Sequence, residues 1–200
     1  IEDFDNLPLR RVYKPRVGVV GEILVKFHPT ANNEIVKTIE NEGAEAVVPD
    51  LSDFVFYCLS QNQYKHKTLN SSWSSSLLSK ILIKYAEIYR YQMKKSFNAS
   101  KRFTAPREIY SLQKEVDDIV QLGNITGEGW LLTSEMIELI HDKVPNIACV
   151  QPFACLPNHV TGKGMIKELR RRFPGSNIAA IDYDPGASEV NQLNRLKLLL

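Results

Sequence analysis

Only three cysteines occur in this sequence, Cys58, Cys149 and Cys155, and neither their odd number nor their spacing builds a disulfide framework. There is no C-x-x-C and no histidine pair at finger spacing, so a self-contained zinc site is not expected. No apolar run approaches the roughly 20 residues that span a bilayer, and no charged start followed by a short apolar stretch marks a signal peptide. A charge excess is missing too: 25 Lys and Arg stand against 23 Asp and Glu, a net +2, which gives no reason to expect nucleic acid as a partner. Neither G-x-x-x-x-G-K-[ST] nor G-x-G-x-x-G is present, which argues against nucleotide hydrolysis and dinucleotide binding. These absences together predict a cytoplasmic chain from a reducing compartment, with no nucleic acid and no membrane among its partners.

What is present alternates. Arg16-Val17-Gly18-Val19-Val20-Gly21-Glu22 is a short β-branched run ending in glycine, the profile of a buried parallel strand. Asn32 or Asn33 then caps a helix carrying Ile35, Val36 and Ile39, Gly43 stops it, and Ala44 to Val48 is a second strand, which completes a right-handed βαβ unit. Asn146 to Val150 and Asn177 to Asp182 read as the third and fourth strands, each preceded by a helix, with Asp184 and Pro185 opening the last helix. Between strands two and three the pattern turns helical, with Leu77, Leu78, Ile81, Leu82, Tyr85, Ile88 and Tyr89 forming one apolar stripe. The expectation is an α/β fold, Rossmann-like or flavodoxin-like, with a mostly parallel four-stranded sheet flanked by helices. Residues 1–200 are read as a single domain with a helical insertion over about 58–126. The sequence opens on Ile1 without methionine and closes inside a helical pattern at Leu200, so it is expected to be a fragment of a longer protein.

In a parallel sheet the loops that leave the carboxyl ends of the strands share one edge, and ligands bind there. The most loaded of these loops runs from Gln151 to His159 and sets a thiol, an imidazole and two prolines ahead of a glycine-rich helix start. Cys155 in that loop reads as a nucleophile or metal ligand whose thiolate a nearby helix end and His159 would favour. Glu22, just past the first strand, and Glu128, between two glycines, are further catalytic candidates with His159. Gly162, Lys163 and Gly164 ahead of a helix suit an anion such as the phosphate of a CoA-type ligand. Cys149 falls within a strand and reads as core.

Several stretches together carry a resemblance: Val17 to Val25, Gly127-Glu128-Gly129-Trp130-Leu131-Leu132, Cys155 to Gly164, and Ile181 to Pro185 with Glu189 to Arg195. They resemble the acyl-CoA dehydratase activase-related proteins, relatives of the activator and subunits of 2-hydroxyglutaryl-CoA dehydratase, over roughly residues 16–56 and 127–200. The resemblance implies a dehydratase-like component of an iron-sulfur electron-transfer system, served by an ATP-dependent activase domain or subunit and acting on an acyl-CoA substrate. By position it implies Cys155 as one ligand of a 4Fe-4S cluster whose other ligands lie outside this chain. The sequence departs from the family pattern at Ala154, where glycine is expected. Two other readings stay open beside it: a non-catalytic scaffold or partner-docking domain, and a CoA- or phosphate-binding module.

Overall fold

A computed structural model describes residues 1–9 and 12–200. In chain order its elements are α1 (Glu2–Asn6), β1 (Arg16–Gly21), α2 (Ile23–Phe27), α3 (Ile35–Asn41), β2 (Glu45–Val47), α4 (Leu51–Leu69), α5 (Trp73–Asn98), α6 (Ile109–Val116), α7 (Gly129–His141), β3 (Asn146–Gln151), α8 (Leu156–Thr161), α9 (Ile166–Arg172), β4 (Asn177–Asp182) and α10 (Glu189–Lys197). The chain divides into two compact units, residues 1–13 with 50–111 and residues 14–49 with 112–200.

The larger unit carries the sheet. Its four strands run in the order β2-β1-β3-β4, every neighbouring pair parallel, so the expected α/β architecture, with a helical stretch between β2 and β3, is what the chain forms. Each central strand is buried from its second residue onward because helices cover both of its faces. Val17, Val19, Ala148, Val150 and Ile181 pack with Ile35 and Ile39 of α3 and Leu196 and Leu199 near the chain end. On the opposite side, Gly18 is pressed by Leu139 of α7. That helix is buried almost all round, with Trp130, Leu131, Leu132, Met136 and Ile137 at or below 1% exposure, as a helix sandwiched inside a core is.

The smaller unit is a helical hairpin. Asn70 ends α4 in the left-handed conformation, and two serines turn the chain into α5. Asn62 Nδ2 donates to Ser79 Oγ at 2.8 Å and the Arg90 guanidinium lies over the Phe56 ring at 4.7 Å, so the two helices run antiparallel. Ser76, Ser79 and Ile83 are the buried residues of α5.

Three local readings need correction. The segment from Gln151 to His159 is not one long loop, because α8 begins at Leu156 with proline in its first turn, where a missing N–H costs nothing. The stretch after Glu22 folds into the short α2 before the turn at His28 and Pro29. Asp184 does not cap the last helix: α10 starts at Glu189 behind Ser188, and both carboxylate oxygens of Asp184 accept from the Phe153 N–H at 3.0 Å instead.

Candidate functional site

The sheet order reverses between β1 and β3, where β1 is followed by β2 on one side and β3 by β4 on the other. The crevice outside the carboxyl ends of strands at such a switch point is the ligand site of open α/β sheets. Gly21 ends β1 with φ +142, and a Cβ there would sit 1.8 Å from the Val150 carbonyl oxygen, so only glycine lets β1 close against β3 at this rim.

Around that point the structure gathers Glu22, Glu128, Cys155 and an amide the sequence reading passed over, Asn158, which is fully buried. Glu22 caps α2 by accepting from the Val25 N–H at 2.9 Å. Glu128 lies at the start of α7, and its Oε1 accepts from the Ile23 N–H at 3.0 Å. With the Asn158 amide turned so that both of its ends are satisfied, Nδ2 donates to Glu128 Oε2 at 3.0 Å and Oδ1 accepts from the Glu22 N–H at 2.9 Å. Cys155 Sγ lies 3.1 Å from the same amide. One buried side chain thereby ties the ends of β1, α7 and α8 together. Glu128, which the sequence places between two glycines, is held by these bonds and 8% exposed. Burial raises its pKa above the ordinary 4.5, while its own backbone and the Ile23 N–H pull in the other direction and the negative charges of Glu22 and Glu135 add to the rise.

Beneath this rim lies a buried ion pair, Lys26 Nζ to Glu135 Oε1 at 2.8 Å, with the two side chains 3% and 5% exposed. A lone lysine in Ile23-Leu24-Val25-Lys26-Phe27 and a lone glutamate in the otherwise uncharged stretch Trp130 to Ile137 were the available signals. A charge in the middle of a buried element is almost never left without a partner.

His159 belongs to an adjoining cluster. Gln151, the last residue of β3 and fully buried, donates from Nε2 to Asp182 Oδ1 at 2.8 Å and lies 3.3 Å from His159 Nδ1. Lys163 Nζ is 3.9 Å from Asp182 Oδ2 and exposed. Gly162 sits in the core: its N–H donates to the Asn158 carbonyl, and a Cβ would lie 2.8 Å from Leu132 Cδ2 and 3.0 Å from Cys149 Sγ. Its smallness is therefore used in packing. Gly164 is exposed on the 3-10 turn that Lys163 opens, its Cα turned to the His159 carbonyl. Gly162→Ala is expected to cost about 1–3 kcal/mol in urea unfolding, whereas an anion-binding role alone would leave stability unchanged.

The thiols differ sharply. Cys149 is sealed in β3, and burial first, then Glu135, Asp182 and Glu128, push its pKa up to about 12. Cys155 is half-buried on the rim and Cys58 is exposed on α4. Iodoacetamide at neutral pH is expected to alkylate Cys58 and Cys155 in the folded chain and to reach Cys149 only after denaturation, as peptide mass mapping would read. Among the described residues no group of three or more His, Cys, Asp or Glu side chains is placed to hold a metal ion. The residues present do not make up a four-iron site; Cys155 would be a single thiolate in one.

No protein-family model, curated protein or solved structure matches the chain. The class defined by the fold is an all-parallel α/β sheet of flavodoxin-like order, and among the described residues no helix is long and apolar enough to cross a membrane.

Proposed function

We propose that this chain is the dehydratase-like component of a 2-hydroxyacyl-CoA dehydratase system that is energised by an ATP-dependent activase. The observation that carries this reading is the convergence of a thiol, two carboxylates and a buried amide at the β1/β3 switch point. Supporting it are the sequence stretches that resemble that family, which supply nearly every residue of the rim. In this reading Glu128, shielded from solvent and disposed to hold a proton, serves acid–base chemistry on the acyl group, and Glu22 holds α2 in place beside it. A cluster belongs to the assembled system; this chain offers it the Cys155 thiolate and nothing more.

The test is an anaerobic assay that combines a polypeptide containing this chain with an activase, ATP and a 2-hydroxyacyl-CoA. Cys155→Ser, whose hydroxyl can keep the hydrogen bond to the Asn158 amide, is expected to lower dehydration by about 100-fold or more while leaving the circular dichroism spectrum and unfolding curve nearly unchanged. Equal rates in the two proteins would overturn the reading.

A further inference from the structure

The unit formed by residues 1–13 and 50–111 exposes its most apolar helix face. On α5, Ser76, Ser79 and Ile83 are buried, while Leu77 (42%), Leu78 (57%), Ile81 (54%), Leu82 (42%), Tyr85 (67%), Ile88 (66%) and Tyr89 (82%) stand in solvent. Fully exposed aromatic side chains carry roughly 150–250 Å² each. Scaled by their exposures, Tyr85 and Tyr89 alone present on the order of 300 Å², and the five exposed leucines and isoleucines beside them carry the patch beyond the roughly 300–600 Å² of the largest patch on an ordinary monomer, toward the roughly 800 Å² per partner of a standard-size interface.

From the spacing of this face we infer that it pairs with the same face of a second copy of the chain, as a short parallel two-stranded coil. Leu78, Ile81, Tyr85, Ile88 and Gln92 follow a 3-4-3-4 spacing, the a and d positions of a heptad. Ile83 and Arg90 then fall at f, on the side turned to α4, where Ile83 is buried and Arg90 lies over Phe56. The flanks decide both occupant and direction. One flank, position g, holds Leu77, Lys84 and Tyr91; the other, position e, holds Leu82, Tyr89 and Ser96. In a parallel pair, g of one helix meets e of the next heptad on the other, which sets Leu77 against Leu82, Lys84 against the ring of Tyr89, and Tyr91 against Ser96. Each of these contacts is apolar, cation–π or neutral. An antiparallel pair would bring the two Lys84 flanks together. Gln92 supplies the single polar a position that fixes register, and Lys95 at the next d position ends the seam.

Equilibrium sedimentation of the chain is expected to give the mass of two copies. Ile81→Glu with Ile88→Glu, both at exposed positions, should raise the dimer dissociation constant by about 100-fold or more with the helical circular dichroism signal unchanged. On a background carrying Cys58→Ser and Cys155→Ser, Leu78→Cys and Gln92→Cys should each cross-link to itself on mild oxidation, because a positions face each other only in a parallel pair. A monomer at every concentration would overturn the inference, as would a monomer that instead sediments with anionic phospholipid vesicles. A cross-link formed only when the two cysteine variants are mixed would overturn it as well. None of these outcomes bears on the catalytic rim.

Discussion

Replacing Lys26 by methionine is expected to destabilise the chain by about 3–5 kcal/mol in urea unfolding. The 2.8 Å contact between its Nζ and Glu135 Oε1 is closed off from solvent on both sides, so removing the cation leaves a carboxylate buried without a counter-charge. Glu135→Leu should cost a similar amount for the mirror-image reason. The double variant, Lys26→Met with Glu135→Leu, is expected to recover most of the loss, because a buried ion pair and an apolar pair of similar volume are nearly equivalent in net free energy. Losses that simply add in the double variant would show that the two groups do not depend on each other. The pair matters to the rim as well. Lys26 lies on α2, one turn beyond the Glu22 cap, and Glu135 lies two turns beyond Glu128 on α7. Clamping those two helices is what keeps the Ile23 N–H within reach of the Glu128 carboxylate.

The sheet was legible in the sequence for a simple reason. Strands β1, β3 and β4 are 6 residues each with an unbroken apolar middle, buried almost throughout in β1 and β3, and helices long enough to repeat an apolar face separate them. The edge strand β2 is only 3 residues and half-exposed, so its span was overread by a residue at each end. Helices α2 and α8, of 5 and 6 residues, left no periodic trace. Helices of that length do not form on their own, and tertiary contacts hold them in place. Of the residues gathered at the rim, Glu22 and Cys155 were singled out from their strand-end loops, which the parallel topology makes informative, and Glu128 from its place between two glycines. His159 was found the same way but faces the neighbouring Gln151 and Asp182 cluster. Asn158 was missed because its importance is entirely geometric: nothing in Cys155-Leu156-Pro157-Asn158 says that the amide points inward to satisfy two other segments. Lys26 and Glu135 were missed as a pair because 109 residues separate them.

Glu128 joins the stability of the fold to the chemistry proposed for the rim, and its variants should separate the two. Glu128→Ala deprives the half-buried Ile23 N–H and the buried Asn158 Nδ2 of their acceptor, and two such donors left unpaired are expected to cost about 2–4 kcal/mol. Glu128→Gln keeps one acceptor and loses the charge, so its behaviour should depend on pH. Burial, the largest influence on this carboxyl, raises its pKa in the folded chain above the ordinary 4.5. The folded state therefore holds the proton more tightly than the unfolded one. The stabilisation this brings is fully present below pH 4.5 and is lost as pH rises through the folded value. Glutamine carries no such proton, so the variant should compare worst with the parent in acid and gain on it steadily toward neutral pH. Urea unfolding of both proteins from pH 4 to 7 measures the difference. A gap that stays constant across that range would mean that Glu128 titrates alike in the folded and unfolded chain, and would remove the proton on which the acid–base role proposed for it depends.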